Sequence, residues 1–548
     1  MSEGPARGLG ENLTVHPSLI ERYEAEGWWI SDSCGELLAH WAERKPDEIA
    51  IVDDQGRHTW SDYHRAADDL ARTLAGLGID AEASAAVWLD DSFEFHVALV
   101  AAERARVVAL GVGARARVEE LAHLMRGAGA QALITTADHR GQDTRSIAEQ
   151  LRERGVDLRY LLLMGEEFEV VCLNGAPAPT PREPGEGFGP NDFSLLNSTS
   201  GTTGLPKRVA HTANQWFAFA VMAQQSAGLG DDEVFGGFVP GPFGFGLWTS
   251  HYAPLYLGAR TVLTARFTAT KALELIEREQ ITFIACVSTQ FKMMLNDPAI
   301  GSTDFSSLRV MYSGGEAVPA AKAREFEEYT DSVVLQFFGS NEIGAASMTT
   351  PDMTAEQRLA TAGRLIECMD VAVYDEAGQI ITDPLTPGQP AARGPLNSLG
   401  YHGDEAANDQ LYSPHGRMLM ADLVTVDTDG FLRVVGRKTD IIIRGGKNIS
   451  ALEVEAAVES HPRVGLAAVV PVPDELFGEK VCAVVETHDG AELTLAELTE
   501  HLAGSGLGRE SWPEYVVTHG DLPRSSGGKL AKREVRSIAL GALAMDQT

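Results

Sequence analysis

Apolar positions fall on one helical face over 36–45 and again over 61–75. This predicts two amphipathic helices, the second stopped by Gly76-Leu77-Gly78. Short apolar runs at Ala85–Leu89 and Ala132–Thr135 read as strands set between helical stretches, the alternation of a layered α/β fold. Two polar, Pro/Gly-rich stretches interrupt it. Asn174–Asn191 reads as an exposed linker between subdomains, and Asp383–Gly394 as a turn-rich bridge into a smaller β-rich subdomain. Beyond Gly436 come a strand at Asp440–Arg444, a Gly-Gly loop, a helix at Ala451–Ser460 and strands at Ala467–Val472 and Val481–Thr487. The expected architecture is α/β: a large N-terminal domain over 1–436, with two layered α/β subdomains plus a small β-rich one, and a small α+β domain over 437–548.

Length supports the division, because 548 residues exceed the ~250–300 that one hydrophobic core serves. No apolar run reaches the ~18 residues that span a bilayer, and Met1-Ser2-Glu3-Gly4-Pro5 has no basic, then apolar, leader. A cytoplasmic protein without membrane insertion is expected. A formal charge of −33 sets the surface against nucleic-acid backbones and anionic lipid. Five scattered cysteines, none in a close pair, argue against zinc sites and disulfides.

The most informative segment is Asn197-Ser198-Thr199-Ser200-Gly201-Thr202-Thr203-Gly204-Leu205-Pro206-Lys207. Glycines allow close backbone approach to a phosphate, hydroxyls donate to it, and the lysine adds a point charge. It is not a Walker A loop, since Pro206 and Arg208 stand where that pattern needs Gly and Ser/Thr. The segment follows the apolar Phe193–Leu196, so it leaves the end of a strand, where anion loops are mounted.

Thr199–Lys207 resembles the signature loop of the adenylate-forming superfamily, which includes acyl-CoA synthetases, peptide-synthetase adenylation domains and beetle-type luciferases. Further motifs follow in that family's order. Ser313-Gly314-Gly315-Glu316-Ala317 resembles its adenine loop, and Phe338-Gly339-Ser340-Asn341-Glu342 its aromatic-Gly-x-Thr-Glu. Asp422 and Gly436-Arg437 match the ribose-binding Asp and the Gly-Arg before the hinge. Gly445-Gly446-Lys447-Asn448-Ile449 resembles the thioester-phase loop, and Leu522–Lys529 the terminal segment with the catalytic lysine. The resemblance covers residues 30–540.

The resemblance implies attack of a carboxylate oxygen on the α-phosphorus of ATP with loss of pyrophosphate, then transfer of the acyl group to a thiol. ATP, Mg²⁺ and coenzyme A are the implied cofactors. In this reading Thr199, Ser200, Gly201, Thr202, Thr203, Gly204 and Lys207 hold phosphates. Gly314, Gly315, Glu316, Phe338, Gly339, Ser340 and Asn341 surround the nucleotide, and Asp422 and Arg437 serve the ribose. Glu342 is the Mg²⁺ ligand, and Lys529 is the catalytic group. Gly445, Gly446 and Lys447 line a coenzyme A channel after the small, mobile C-terminal domain has turned. Some positions depart from the pattern: Asn341 replaces Thr, Met420-Ala421-Asp422 replaces Thr-Gly-Asp, Gly388-Gln389-Pro390 replaces Gly-Glu-Leu, and Thr439 stands at the hinge.

Pro240–Gly246 resembles the segment lining the acyl site, with Phe243 at a gating position and Gly244 where amino-acid-activating relatives carry an Asp. An unpaired buried ammonium is costly, so α-amino acids are disfavoured. Gly244 beside Trp248, Phe337 and Phe338 predicts a roomy apolar pocket for a small-molecule carboxylic acid, non-amino and bulky or apolar. The favoured activity is an acyl- or aryl-CoA ligase. The alternatives are an enzyme loading an acyl carrier protein and a non-catalytic adenylate-binding regulator, against which the presence of Lys207, Glu342 and Lys529 argues.

Overall fold

The computed structural model describes residues 15–80, 83–165, 168–198, 206–316, 318–437, 440–445, 447–524 and 530–543. The helix expected at 36–45 is Cys34–Arg44, started by a capping box between Ser33 and Glu36. The next is Trp60–Gly76, capped in the same way by Thr59 and Asp62. Both expected strands form, as Ser84–Val87 and Ala130–Thr136.

Among the described residues the large domain carries two extended sheets. One has nine strands, in which Ile49–Val52, Arg260–Leu263, Val234–Gly237, Phe283–Cys286, Val310–Gly314 and Val333–Ser340 run parallel. The other has eight, with Leu195–Ser198, Val108–Gly111, Ser84–Val87, Ala130–Thr136 and Tyr160–Met164 parallel at its centre. Their strands are buried along nearly their whole length, as parallel strands covered on both faces must be. The carboxyl ends at Ser198, Gly314 and Ser340 are where such sheets receive ligands.

Asp383–Gly394 departs from expectation. Instead of turns throughout, Gln389–Arg393 is the middle strand of a three-stranded sheet, between Asp370–Tyr374 and Met418–Leu419. Ala391 and Ala392, on opposite faces of the strand, are both buried, and Pro390, which has no N–H to pair, still accepts from the Met420 amide at 2.9 Å.

The C-terminal part is a five-stranded sheet, with Lys447–Ser450, Ile441–Arg444, Gly478–Thr487 and Val464–Asp474 in order and Tyr515–Thr518 pairing Gly478–Thr487. Helices Ala451–Glu459 and Leu495–Leu502 pack on one apolar cluster, and Lys532–Ala542 on another. All five cysteines are free. Among the described residues no helix is long and apolar enough to cross a membrane.

Candidate active site

Glu342 follows the strand Val333–Ser340 and is half-buried. Its Oε1 accepts from the Tyr401 hydroxyl at 2.7 Å. Burial and the Glu342 charge together push the Tyr401 pKa far up, so the phenol stays a donor. Lys207 Nζ lies 4.3 Å from the centre of the same ring. Two motifs 135 residues apart (207 and 342) therefore meet across one tyrosine that neither contains. Tyr401 arrives through topology: Gly400–Tyr401 pairs with Arg208–His211 at the edge of the eight-stranded sheet.

Gly339 is required by packing, since a Cβ there would stand 1.8 Å from the Gly344 carbonyl oxygen. Phe338 is buried, and Ser340 Oγ accepts from the Ile343 amide at 3.4 Å. Gly314 ends its strand and Gly315 follows at φ +78°. Glu316 accepts from the Thr289 amide at 2.9 Å, at the start of helix Ser288–Asn296. Asp422 and Arg437, opposite each other on neighbouring antiparallel strands, form an ion pair at 3.0 Å. Arg437 also feels the charge of Glu342, which joins this pair to the same site.

Thr199, Ser200, Gly201, Thr202, Thr203, Gly204, Gly446, Thr439 and Lys529 lie outside the described residues. The segment leading to Lys529 does not: Asp521–Arg524 borders a cavity of about 400 Å³ that Asp90, Asp91, Pro240 and Pro242 also line. The small domain thus reaches the Pro240–Gly246 segment. Gly445 and Lys447 stand apart, in an exposed hairpin where Lys447 pairs with Glu510 at 2.7 Å.

The acyl segment corrects two expectations. Gly244 does not leave open room, because a Cβ on it would stand 2.6 Å from the Asn341 side chain and 3.0 Å from the Trp216 ring. Those two side chains already occupy the space. Trp248 is only 2% exposed, shut behind Phe219, Phe245 and Phe337 at ring separations of 5.2, 6.1 and 5.7 Å. Half-buried Phe243, Phe245 and Phe337 are the aromatic faces left near the site. Beneath them Asp91 accepts from the Gly241 amide at 2.6 Å, and burial pushes its pKa up to about 7.

Behind Asn341 lies a polar chain that the sequence did not reveal. The carboxamides of Asn341 and Asn197 meet face to face at 2.6 and 2.8 Å, which ties the strand ends of the two sheets together. The Asn197 carboxamide lies 3.0 Å from His211 Nε2, and His211 Nδ1 lies 3.3 Å from Gln215 Oε1. His211 is buried, which lowers its pKa to about 3.

Residues 38–402 match the AMP-binding enzyme family, and residues 453–529 match the AMP-binding enzyme C-terminal domain. This chain is an adenylate-forming enzyme. Adenylate-forming relatives include the 2-hydroxy-7-methoxy-5-methyl-1-naphthoate–CoA ligase of Streptomyces carzinostaticus, 30% identical over 94% of this chain and 95% of that one. Another is the salicyl-AMP ligase / salicyl-S-ArCP synthetase of Mycobacterium tuberculosis (strain ATCC 25618 / H37Rv), 30% identical over 97% and 95%. The fold matches the anthranilate CoA ligase AuaEII in complex with anthranoyl-AMP, with a TM-score of 0.82 at 23% identity over 94% of this chain and 99% of that one. Family membership makes the chain an ATP-dependent, AMP-forming ligase that adenylates a carboxylic acid.

Proposed function

We propose that this enzyme adenylates an aromatic carboxylic acid and transfers the aroyl group to the thiol of coenzyme A. The observation that carries the reading is the acyl wall: Phe243, Phe245 and Phe337 present partly exposed rings, and position 244 offers no carboxylate to an ammonium. Offset and edge-to-face ring contacts favour a flat aromatic acid over a flexible chain. The relatives named for a hydroxynaphthoate and for salicylate support it.

In this reading the carboxylate attacks the α-phosphorus in line, and the protein supplies placement and charge rather than a covalent intermediate. Thr199–Gly204 and Lys207 hold the phosphates, and Gly314–Glu316 with Phe338 and Gly339 bound the adenine. Asp422 accepts from the ribose hydroxyls, with Arg437 holding it in place. Lys529 neutralises charge developing between carboxylate and phosphate. Glu342 fits a hard divalent cation, because Tyr401 occupies one of its oxygens and leaves the other without a protein partner among the described residues. When bound, that ion would offset phosphate charge. A boundary at 436/437, with Gly445 and Lys447 on an exposed hairpin, would suit a second step in which the small domain brings that hairpin to the thiol channel.

The test is product analysis with salicylate, ATP and either coenzyme A or a pantetheinylated aryl carrier protein. Salicyl-CoA is the expected product. Thioester on the carrier alone would assign the enzyme to carrier loading.

A further inference from the structure

The polar chain behind Gly244 determines which atom of Asn341 faces the acyl site. The two ends of a carboxamide have the same shape, so contact distances alone do not say which end is nitrogen; the partners do. The backbone N–H of Thr212 donates to Gln215 Oε1 at 3.0 Å, which fixes that atom as oxygen. The same oxygen lies 3.3 Å from His211 Nδ1, so Nδ1 carries a proton and donates to it.

His211 is shielded from solvent on all sides, and its ring is neutral. With the proton on Nδ1, Nε2 is a bare acceptor. The Asn197 terminal atom 3.0 Å from it must then be the NH₂. That group also faces one terminal atom of Asn341 at 2.6 Å, which must be the oxygen. The other terminal atom of Asn341 is therefore nitrogen. It spends one hydrogen on the Asn197 oxygen at 2.8 Å and has a second N–H left. This is the atom 2.6 Å from where a side chain at 244 would begin. Glycine at 244 exposes a donor that any larger residue would cover.

We propose that Asn341 presents this N–H to the acyl site as a specificity element, selecting aromatic acids with an acceptor oxygen ortho to the carboxylate over those with an amino group there. The inference rests on the aromatic-acid reading above. The ortho position follows from place: Asn341 directly precedes Glu342, on the phosphate side of the site, so the substituent it meets is the one nearest the carboxylate. A hydroxyl or methoxy oxygen accepts the N–H. An aniline nitrogen, its lone pair drawn into the ring, sets N–H against N–H. Departures at 244 and 341 are then one feature, with the donor supplied from the facing strand end rather than from the acyl segment.

The experiment compares kcat/KM for pyrophosphate release with benzoate, salicylate, 2-methoxybenzoate and anthranilate, in the intact enzyme and in Asn341→Leu. One hydrogen bond supports a salicylate-to-anthranilate ratio of about tenfold or more, with 2-methoxybenzoate on the salicylate side. The ratio should fall to about twofold or less in Asn341→Leu, and because both acids are read in the same variant, any change in its use of ATP cancels from the ratio. A long-range ¹H–¹⁵N spectrum of the wild-type histidine rings should show His211 as the Nδ1–H tautomer, and it decides the donor assignment even where Asn341→Leu fails to fold. An Nε2–H tautomer, or anthranilate turned over as well as salicylate, overturns the proposal and leaves the aromatic-acid reading standing. If none of the four acids releases pyrophosphate while aliphatic acids do, the aromatic-acid reading falls, and this proposal with it.

Discussion

Lys207, Tyr401 and Glu342 form one cluster, which the proposed mechanism places at the phosphate end of the site, and Asp422 and Arg437 pair nearby. In the proposed mechanism Lys529 serves the same chemistry. Lys529→Ala should lower adenylate formation by ~10²–10³-fold, the usual cost of one preorganised charge aimed at the transition state. Conversion of added acyl-adenylate to thioester should survive. Single-turnover assays of the two half-reactions check this, and equal loss in both would move Lys529 out of the adenylation step. The residues that could be named in advance were those in contiguous segments that resemble the family's motifs. Tyr401 enters through pairing between distant strands, His211 from the strand beside Asn197 and Trp216 from the helix that follows, and a lone Tyr or His in an apolar run carries no such signal. Gly244 misled because a glycine reads as free volume. Here it makes room for Asn341 and Trp216.

Between elements, the small domain docks through the end of its first helix. Lys292, on Ser288–Asn296, pairs with Glu459, the last residue of Ala451–Glu459, at 2.7 Å, both side chains being no more than 10% exposed. The Ala467 amide also donates to Glu459, and Ser450 Oγ donates to the Val435 carbonyl at 2.8 Å. Removing one member of such a pair leaves a buried charge and costs ~3–5 kcal/mol, whereas replacing both by apolar groups is often neutral. Lys292→Met should therefore loosen docking and speed proteolysis between 437 and 440, and Lys292→Met/Glu459→Leu should recover most of the loss. Equal cleavage rates in the single and double variants would show that the pair does not hold the domains together. The helices and strands named from periodicity formed close to their expected bounds, as Trp60–Gly76 and Ala130–Thr136 do. The strand Gln389–Arg393 was not, because Pro and Gly signal turns locally while sheet membership is decided by partners elsewhere in the chain.

For the whole molecule, residues that follow strands of both large sheets and of the small C-terminal sheet line one cavity. A charge of −33 leaves ATP binding to a local group of cations and amides rather than to the general field. The α/β class and the small terminal domain followed from alternating apolar runs. The docking of that domain depends on side chains such as Lys292 that periodicity treats as surface. The central claim is ATP-dependent activation of an aromatic acid, and acid-dependent exchange of labelled pyrophosphate into ATP tests it most directly, since exchange needs adenylate formation but no thiol. Benzoate-class acids should support exchange, salicylate above anthranilate, with phenylalanine and octanoate near background. Exchange driven by phenylalanine or octanoate, with the benzoate class silent, would contradict the claim.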